Sequence, residues 1–374
     1  MTTTFTPFVM MCVLGLAGSA DCSGQAPEAR QPDAAAQASV AAKSPGTAKQ
    51  KKSGEKIAAR LSIETVKVPS ETAEVFAHPT CDSDGNLYFR TDPDGVAGIR
   101  KLNGKGERMA LFQATSPNVK ASHPAYFTLG PNGDVYQLIF APEMSRYVFV
   151  YKADGTVKSE IKLQPGFPFF PSRLAIFASG DILVSGLEYD KDRAAPMRPV
   201  TGIFSSDGAL RKEVMLEDDE KIHDMAVSGD PKVTSPQNPS ANYAVIGGAA
   251  EIGSDGNVYL MRRLSPAILY AISAGGAVVR RFTVDAGDGD FLPSGMHIAG
   301  NRISVLFRKE QTRQEVIKIV DLEGNDIATY DEPVIDGRHA LGPAFLCYAD
   351  NPERFIFLTA TDDDKLGLII AKPQ

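Results

Sequence analysis

The sequence predicts an all-β chain of six four-stranded repeats closed into a ring, and three observations carry that expectation. A phrase of alternating apolar run, polar-Gly turn and second alternating run recurs, most clearly at residues 81–89, 129–136, 177–184 and 252–260. Its first three turn glycines, Gly85, Gly133 and Gly180, stand 48 and 47 residues apart, the fixed period of a repeat architecture. Composition agrees: 33 Gly and 25 Pro with 43% hydrophobic residues describe a large core and many turns rather than long helices.

Taken in order, the chain opens on an export segment. Residues 8–20 form one apolar stretch ending in small residues, which matches a signal-peptide core and is too short to span a bilayer. Residues 1–7 lack Lys and Arg, a departure from secretory signals, which begin with positive charge. A signal peptide over 1–21 is expected, and with it a periplasmic or cell-envelope location. Gly18-Ser19-Ala20 suits cleavage before Asp21. The segment also resembles a bacterial lipoprotein with Cys22 as the lipidated residue, although Ser19-Ala20-Asp21 stands where that box has Leu-small-small and the Leu sits at 16. Both routes stay open. Residues 22–56, rich in Ala, Gln, Ser, Pro, Gly and Lys, bury too little to offset ordering entropy and read as a disordered tether or tail.

The folded body spans 57–374. In its second unit, residues 125–129 read as a first strand, 134–140 as a second, 146–152 as a third and 156–163 as a fourth. These runs alternate and favour Val, Ile, Tyr and Phe. Asn-Gly and Asp-Gly at the joints supply the positive φ of tight hairpins, and an isolated Asp-Gly-Asn lacks the further ligands of a calcium loop. Turns between third and fourth strands recur at 103–106, 153–155, 206–208, 274–276 and 323–325, so the same grammar recovers six units. The sixth begins near Ala344 and holds only three strands. Residues 60–68 alternate like a strand and can supply the fourth, pairing both chain ends in one unit and removing exposed edges. The fourth unit is delayed, with 76 residues between Gly180 and Gly256, and the excess at 217–243 reads as a long surface loop.

This layout resembles the six-bladed β-propellers of the NHL-repeat and TolB-like kind, whose blades show the same strand, Asp-Gly-Asn turn, Val-Tyr-Val strand and second Asp-Gly turn. The resemblance covers residues 57–374 as repeat grammar; Trp is absent and the fifth unit's turn is reduced to Gly300-Asn301. It implies six four-stranded antiparallel blades, closed by the N-terminal strand. Closure would make the first strands of blades 1 and 6 neighbours, placing Cys81 beside Cys347. A ring-locking disulfide, permitted by export, and two buried thiols are both open.

The same resemblance puts the loops between second and third strands on one face with the crossovers between blades. That face collects Arg90, Asp92, His123, Arg173, Glu188, Arg262, Arg263, Arg308, Arg338 and His339, beside the Phe-rich crossover 165–171 that carries Phe169 and Phe170. Arg90, His123, Phe169, Phe170, Arg173, Arg262, Arg338 and His339 are therefore the candidate ligand-binding residues, for a small polar or anionic ligand or an envelope protein. Pairing of these cations with nearby acids, and packing of the Phe cluster between blades, are the competing structural roles.

Chemistry is sparse. Neither Cys81 nor Cys347 has a second Cys or His at metal-ligand spacing. No nucleophile elbow, zinc helix motif or phosphate loop occurs. Glu251 is the best lone carboxylate for the divalent-cation site of propeller lactonases, and one carboxylate does not make such a site. His-Pro at His78 and His123 repeats, and a His at a strand entry serves a structural hydrogen bond more often than chemistry. Residues 23–60 hold seven Lys/Arg against three Asp/Glu, so the body is more acidic than the net −7 of the chain, which argues against a nucleic-acid partner. The expectation is a monomeric, non-enzymatic binding or scaffold protein without cofactor; a propeller-type hydrolase, lactonase or lyase with a channel site is the alternative.

Overall fold

Alternation of period two, cut by residues that tolerate positive φ, builds six four-stranded antiparallel sheets. The computed structural model describes residues 59–72, 79–91, 98–120, 123–189, 198–222, 241–287, 289–335, 338–341, 344–361 and 365–374. Blade 1 is β2 (Thr80–Cys81), β3 (Leu87–Thr91), β4 (Gly98–Leu102) and β5 (Arg108–Gln113). Blade 2 is β6 (His123–Leu129), β7 (Val135–Phe140), β8 (Arg146–Tyr151) and β9 (Val157–Lys162). Blade 3 is β10 (Phe169–Ile176), β11 (Ile182–Glu188), β12 (Arg198–Phe204) and β13 (Leu210–Glu213). A crossover carrying helix α1 (Ala241–Ile246) leads to blade 4, β14 (Ala249–Ile252), β15 (Val258–Arg262), β16 (Ala267–Ile272) and β17 (Val278–Val284). Blade 5 is β18 (Phe291–Ala299), β19 (Arg302–Lys309), β20 (Glu315–Asp321) and β21 (Asp326–Asp331). A short hairpin, β22 (Val334–Ile335) and β23 (Arg338–His339), precedes blade 6, made of β24 (Ala344–Asp350), β25 (Glu353–Ala360) and β26 (Lys365–Pro373).

The missing strand of blade 6 is β1 (Leu61–Thr72), which pairs antiparallel with β26 from Leu61 opposite Pro373 to Val68 opposite Leu366. The ring is thus closed by its two chain ends. Cys81 on β2 and Cys347 on β24 are joined as a disulfide across the same seam, with Cα atoms 5.5 Å apart.

Six apolar cores lie at the six blade interfaces. Phe112, Phe127 and Phe149 fill the first interface, and Val148, Leu174 and Phe204 the second. Phe177 and Tyr270 belong to the third, Phe291 and Phe307 to the fourth. Phe345 and Phe357 pack in the fifth, Phe89 and Leu346 in the last. Middle strands such as β15 are buried throughout, because both faces of each blade are covered, whereas outer strands such as β17 alternate toward solvent.

The recurring Asp-Gly turns are satisfied from within. Asp82 accepts the amides of Asp84 and Asn86, and Asp321 those of Glu323 and Asn325, so these side chains close their own turns. Turns between third and fourth strands have a second role. Gly155 and Gly208, at φ of +90° and +92°, press against the outer strand of the preceding blade, where an ideal Cβ would meet the carbonyl oxygens of Leu111 and Lys162.

Of the excess at 217–243, residues 223–240 lie outside the described part. Its ends are buried: Leu216, Asp218, Asp219 and Ile222 on one side and Ala244 and Val245 of α1 on the other, packing with Leu187.

Candidate functional site

The first strand of every blade is an edge that faces the central channel, and its sequence is adapted to that position. Pro124, Pro171 and Pro293 sit in β6, β10 and β18, where a missing backbone N–H is tolerated because the inner edge has no ladder partner. Beside each proline the register slips: between Pro124 and Phe127, Pro171 and Arg173, and Pro293 and Gly295, and again between Phe345 and Cys347 in β24. These β-bulges bend the inner strands and release carbonyl oxygens from the ladder.

Long cationic side chains cap those carbonyls across blade boundaries. Arg90 at the end of β3 donates Nη1–H to Pro124 O at 2.5 Å and lies 3.4 Å from Ala125 O, tying blade 1 to blade 2. Arg173 on β10 donates to Ser172 O at 2.7 Å and, through Nε, to Gly248 O at the entry of blade 4. Arg263, just past β15, donates Nε–H to Pro293 O at 3.0 Å in blade 5. A buried polar group needs a partner: the bulges of blades 2 and 5 receive one from the preceding blade, whereas that of blade 3 is capped by its own Arg173, which also reaches blade 4.

Arg173 is nearly buried and its guanidinium lies 4.8 Å over the ring of Tyr126 on β6. Burial lowers its affinity for its proton; the Tyr126 hydroxyl opposes this, and the like charge of Arg263 adds to it, giving a value pushed down to about 10. Tyr126 itself is raised to about 12, by burial first, with Arg173 opposing and Glu251 reinforcing.

Farther round the channel, Glu251 on β14 accepts His297 Nδ1–H at 2.8 Å and the amide of Ile298 at 2.7 Å, one on each oxygen. His297 Nε2 meets Phe345 O at 3.2 Å. Both ring nitrogens therefore face acceptors, an arrangement only the imidazolium satisfies. Burial works to lower the His297 value, but Glu251 and the carbonyl of Phe345 outweigh it and raise it. The pair staples blades 4, 5 and 6, and its polar atoms are engaged with one another and with backbone.

Two sequence candidates are core residues. Arg262 is fully buried beneath the crossover: Nη2 reaches Asp219 at 2.7 Å, Nη1 reaches the Ser185 hydroxyl at 3.1 Å, and Asp218 lies 3.7 Å from Nε. Tyr270 donates to Asp218, and burial raises Asp219 while Arg262 opposes. The expectation that Arg262 lines the mouth is corrected, since Asp218, Asp219 and Ser185 hold its side chain in the core. Phe169, 3% exposed, stacks on Phe204 between blades 2 and 3 and is likewise not available to a ligand.

Phe170 and His123 are exposed, as a binding role requires. Glu188 pairs with Arg198 at 2.7 Å and Arg308 with Glu315. Arg338 and His339 occupy β23, with side chains outside the described part, as are His78, Asp92, Cys22 and the whole of residues 1–58.

The exposed Phe170 belongs to a cluster that the sequence reading only half located. Phe140 at the end of β7 lies 5.1 Å from Phe170, ring to ring. The guanidinium of Arg146 stands 4.5 Å over Phe140, and the Tyr189 hydroxyl donates to Met144 Sδ at 3.4 Å. Met144 and Glu143 form the tip of the β7–β8 hairpin at φ of 58° and 57°. Two consecutive left-handed residues are the hairpin geometry ordinarily met by Asn-Gly, so a 57% exposed Met here is held out against its conformational preference. Among the described residues no group of three His, Cys, Asp or Glu is placed to hold a metal ion.

No family model and no curated protein matches the chain. A Bacteroides fragilis protein assigned as exported is 11% identical and superposes with a TM-score of 0.51 over 84% of this chain and 95% of its own. A Bacteroides thetaiotaomicron protein of unknown function is 12% identical, with a TM-score of 0.46 over 84% and 76%. The Dos1 propeller is 10% identical, with a TM-score of 0.41 over 77% and 75%. At such identities the first likeness speaks to fold alone, and the two lower ones carry no argument.

Proposed function

We propose that this propeller is a non-enzymatic binding protein exported to the bacterial cell envelope, and that it engages a partner protein through the end of the ring where blades 2 and 3 present Phe140, Met144, Phe170 and Tyr189. The single observation behind this reading is Met144, a large apolar side chain exposed at the tip of a left-handed turn beside an exposed Phe. Strain kept at an exposed apolar tip gives the fold nothing, and such features gather at binding surfaces. A Met beside aromatic rings offers an adaptable apolar contact. Export rests on the apolar segment 8–20, and the fold likeness to an exported protein is compatible with it. A channel hydrolase finds less support, because Glu251 and His297 already use both oxygens and both ring nitrogens on each other and on backbone.

The test places a photo-crosslinking residue at position 144 of the full chain in its native cells, with position 109 on the outer strand of blade 1 as control. A discrete crosslinked product at 144, absent at 109 and lost in a Phe170→Ser background that keeps the wild-type melting temperature, is expected. The same product at both positions, or one indifferent to Phe170→Ser, would refute the reading.

A further inference from the structure

Arg146 stands inside the apolar cluster of blades 2 and 3 and gives it a charge that a purely apolar partner would not use. It opens β8 directly opposite Phe140, the last residue of β7. Its guanidinium lies 4.5 Å over the Phe140 ring, and Phe170 of blade 3 packs on that ring at 5.1 Å. Nη1 donates to the carbonyl of Ser145 at 3.1 Å, Nε is enclosed without an acceptor, and Nη2 has none either but is not sealed off. Among the described residues no carboxylate pairs with Arg146. Two acids at this end of the ring are otherwise placed: Glu143 is exposed at the hairpin tip, and Glu188 pairs with Arg198 at 2.7 Å. Burial works against the Arg146 charge and lowers its hold on its proton, with the Tyr189 hydroxyl opposing. A ring face and a carbonyl orient this cation without cancelling it.

We propose that this end of the ring binds a peptide segment in which an acidic side chain lies beside an aromatic or long aliphatic one, the acid on Arg146 and the apolar side chain on Met144 and Phe170. The inference rests on the reading of a partner protein at the same surface and supplies that partner's chemistry. A carboxylate at Arg146 exchanges a half-buried, unpaired cation for a charge-assisted hydrogen bond. The exposed Met144 and Phe170 sit where an apolar neighbour would shield that bond from water. The stack on Phe140 fixes the guanidinium before the partner arrives, which removes part of the ordering cost. An anionic lipid surface offers the same two chemistries, but a chain of net charge −7 is repelled by it, and docking there takes a cluster of cations.

The experiment is selection of a random peptide library on the full chain, followed by fluorescence polarisation with the enriched peptide, amidated at its C-terminus, and with its Asp→Asn or Glu→Gln counterpart. An acidic residue adjacent to an aromatic or aliphatic one should be enriched, and the neutral counterpart should bind about tenfold more weakly or worse. Arg146→Gln should weaken the acidic peptide by a similar factor and leave the neutral one unchanged, and Arg146→Lys should retain more affinity than Arg146→Gln. Glu143→Gln removes a like charge and should tighten the acidic peptide; it carries the test with the neutral peptide if Arg146→Gln fails to fold by circular dichroism. No enrichment, an apolar or basic consensus, or equal affinity of the acidic peptide for a folded Arg146→Gln variant would each overturn this chemistry, while the crosslink at position 144 still judges the partner-protein reading by itself. Binding that emerges only when Asp190→Asn and Asp192→Asn are made together would overturn it too, by seating the chain's own residues 190–197 on Arg146. Sedimentation with phosphatidylglycerol vesicles that is lost in Arg146→Gln would overturn it in favour of a membrane.

Discussion

Replacing Gly208 and Gly133 separately by Ala asks whether the repeated turns only reverse the chain or also hold the blades together. Both residues are left-handed, at φ of +92° and +78°, so each substitution carries the same backbone penalty of about 1–2 kcal/mol. Their surroundings differ. An ideal Cβ on Gly133, between first and second strands of blade 2, meets nothing within 4 Å. On Gly208, between third and fourth strands of blade 3, it would stand 2.0 Å from Lys162 O and 2.8 Å from Lys162 C, main-chain atoms of blade 2 that no rotamer change can move. Relief requires the two blades to separate locally, an overpacking cost of about 1–3 kcal/mol. Separation also strains the bond from Gln164 N–H to Gly208 O, 2.9 Å, worth about 0.5–1.5 kcal/mol. Gly208→Ala should therefore lose about 2–6 kcal/mol, the upper end if that bond breaks, and Gly133→Ala about 1–2. The chain has no Trp, so urea unfolding is followed by far-UV circular dichroism, comparing midpoints at unchanged slope. Equal midpoints for the two variants would refute the idea that the third turn is a blade-to-blade contact.

Three further outcomes follow from buried charge and covalent closure. The imidazolium of His297 has a raised value, so its stabilisation is complete below the ordinary histidine value of 6.5 and is lost as pH rises through the raised folded value. Stability measured by urea midpoint from pH 5 to 9 should fall over that window in the wild type and stay flat in His297→Gln; identical profiles would remove the staple. Arg262→Met should cost about 3–5 kcal/mol by leaving Asp218 and Asp219 buried without their cation, and adding Asp219→Asn should recover part of it; a loss below about 1 kcal/mol in the same unfolding assay would contradict the buried network. Reducing the Cys81–Cys347 bond should lower the melting temperature by the equivalent of about 2–5 kcal/mol while the far-UV spectrum persists, because β1 still closes blade 6; two reactive body thiols in unfolded, unreduced protein would show that the bond does not form.

The parts of this fold that were legible in sequence are those set by near neighbours. Strand alternation and turn chemistry are local, so residues 134–140 and 146–152 anticipate β7 and β8 to within a residue, and 60–68 anticipates the closing strand, which extends to Thr72. The turn glycines at 85, 133 and 180 all have positive φ. What the site does depends on neighbours one blade or more away. Whether Arg90 reaches a ligand or the carbonyl of Pro124 is a matter of how blade 2 lies against blade 1, and no spacing within either blade reports it. Arg262 reads like Arg263 from the sequence, yet one residue turns toward Asp218 and Asp219 in the core and the next toward the Pro293 carbonyl of blade 5. A usable signal was nevertheless present: Pro124, Pro171 and Pro293 near the starts of first strands mark inner edges and the bulges beside them.

That signal connects ring closure to bonding between blades. A ring of blades needs an innermost strand in each, and an innermost strand is an edge whose backbone faces the channel. An unguarded edge invites pairing, so in blades 2, 3 and 5 the strand carries Pro and a bulge, and in blade 6 a bulge, which break the ladder. The bulge releases carbonyl oxygens, and an oxygen held in the protein wall needs a donor. In blades 2, 5 and 6 the donor arrives from the adjacent blade and must be long enough to cross the boundary, which selects Arg90, Arg263 and His297. The inner wall of the ring is thus tied from blade to blade by the need to satisfy its own released carbonyls.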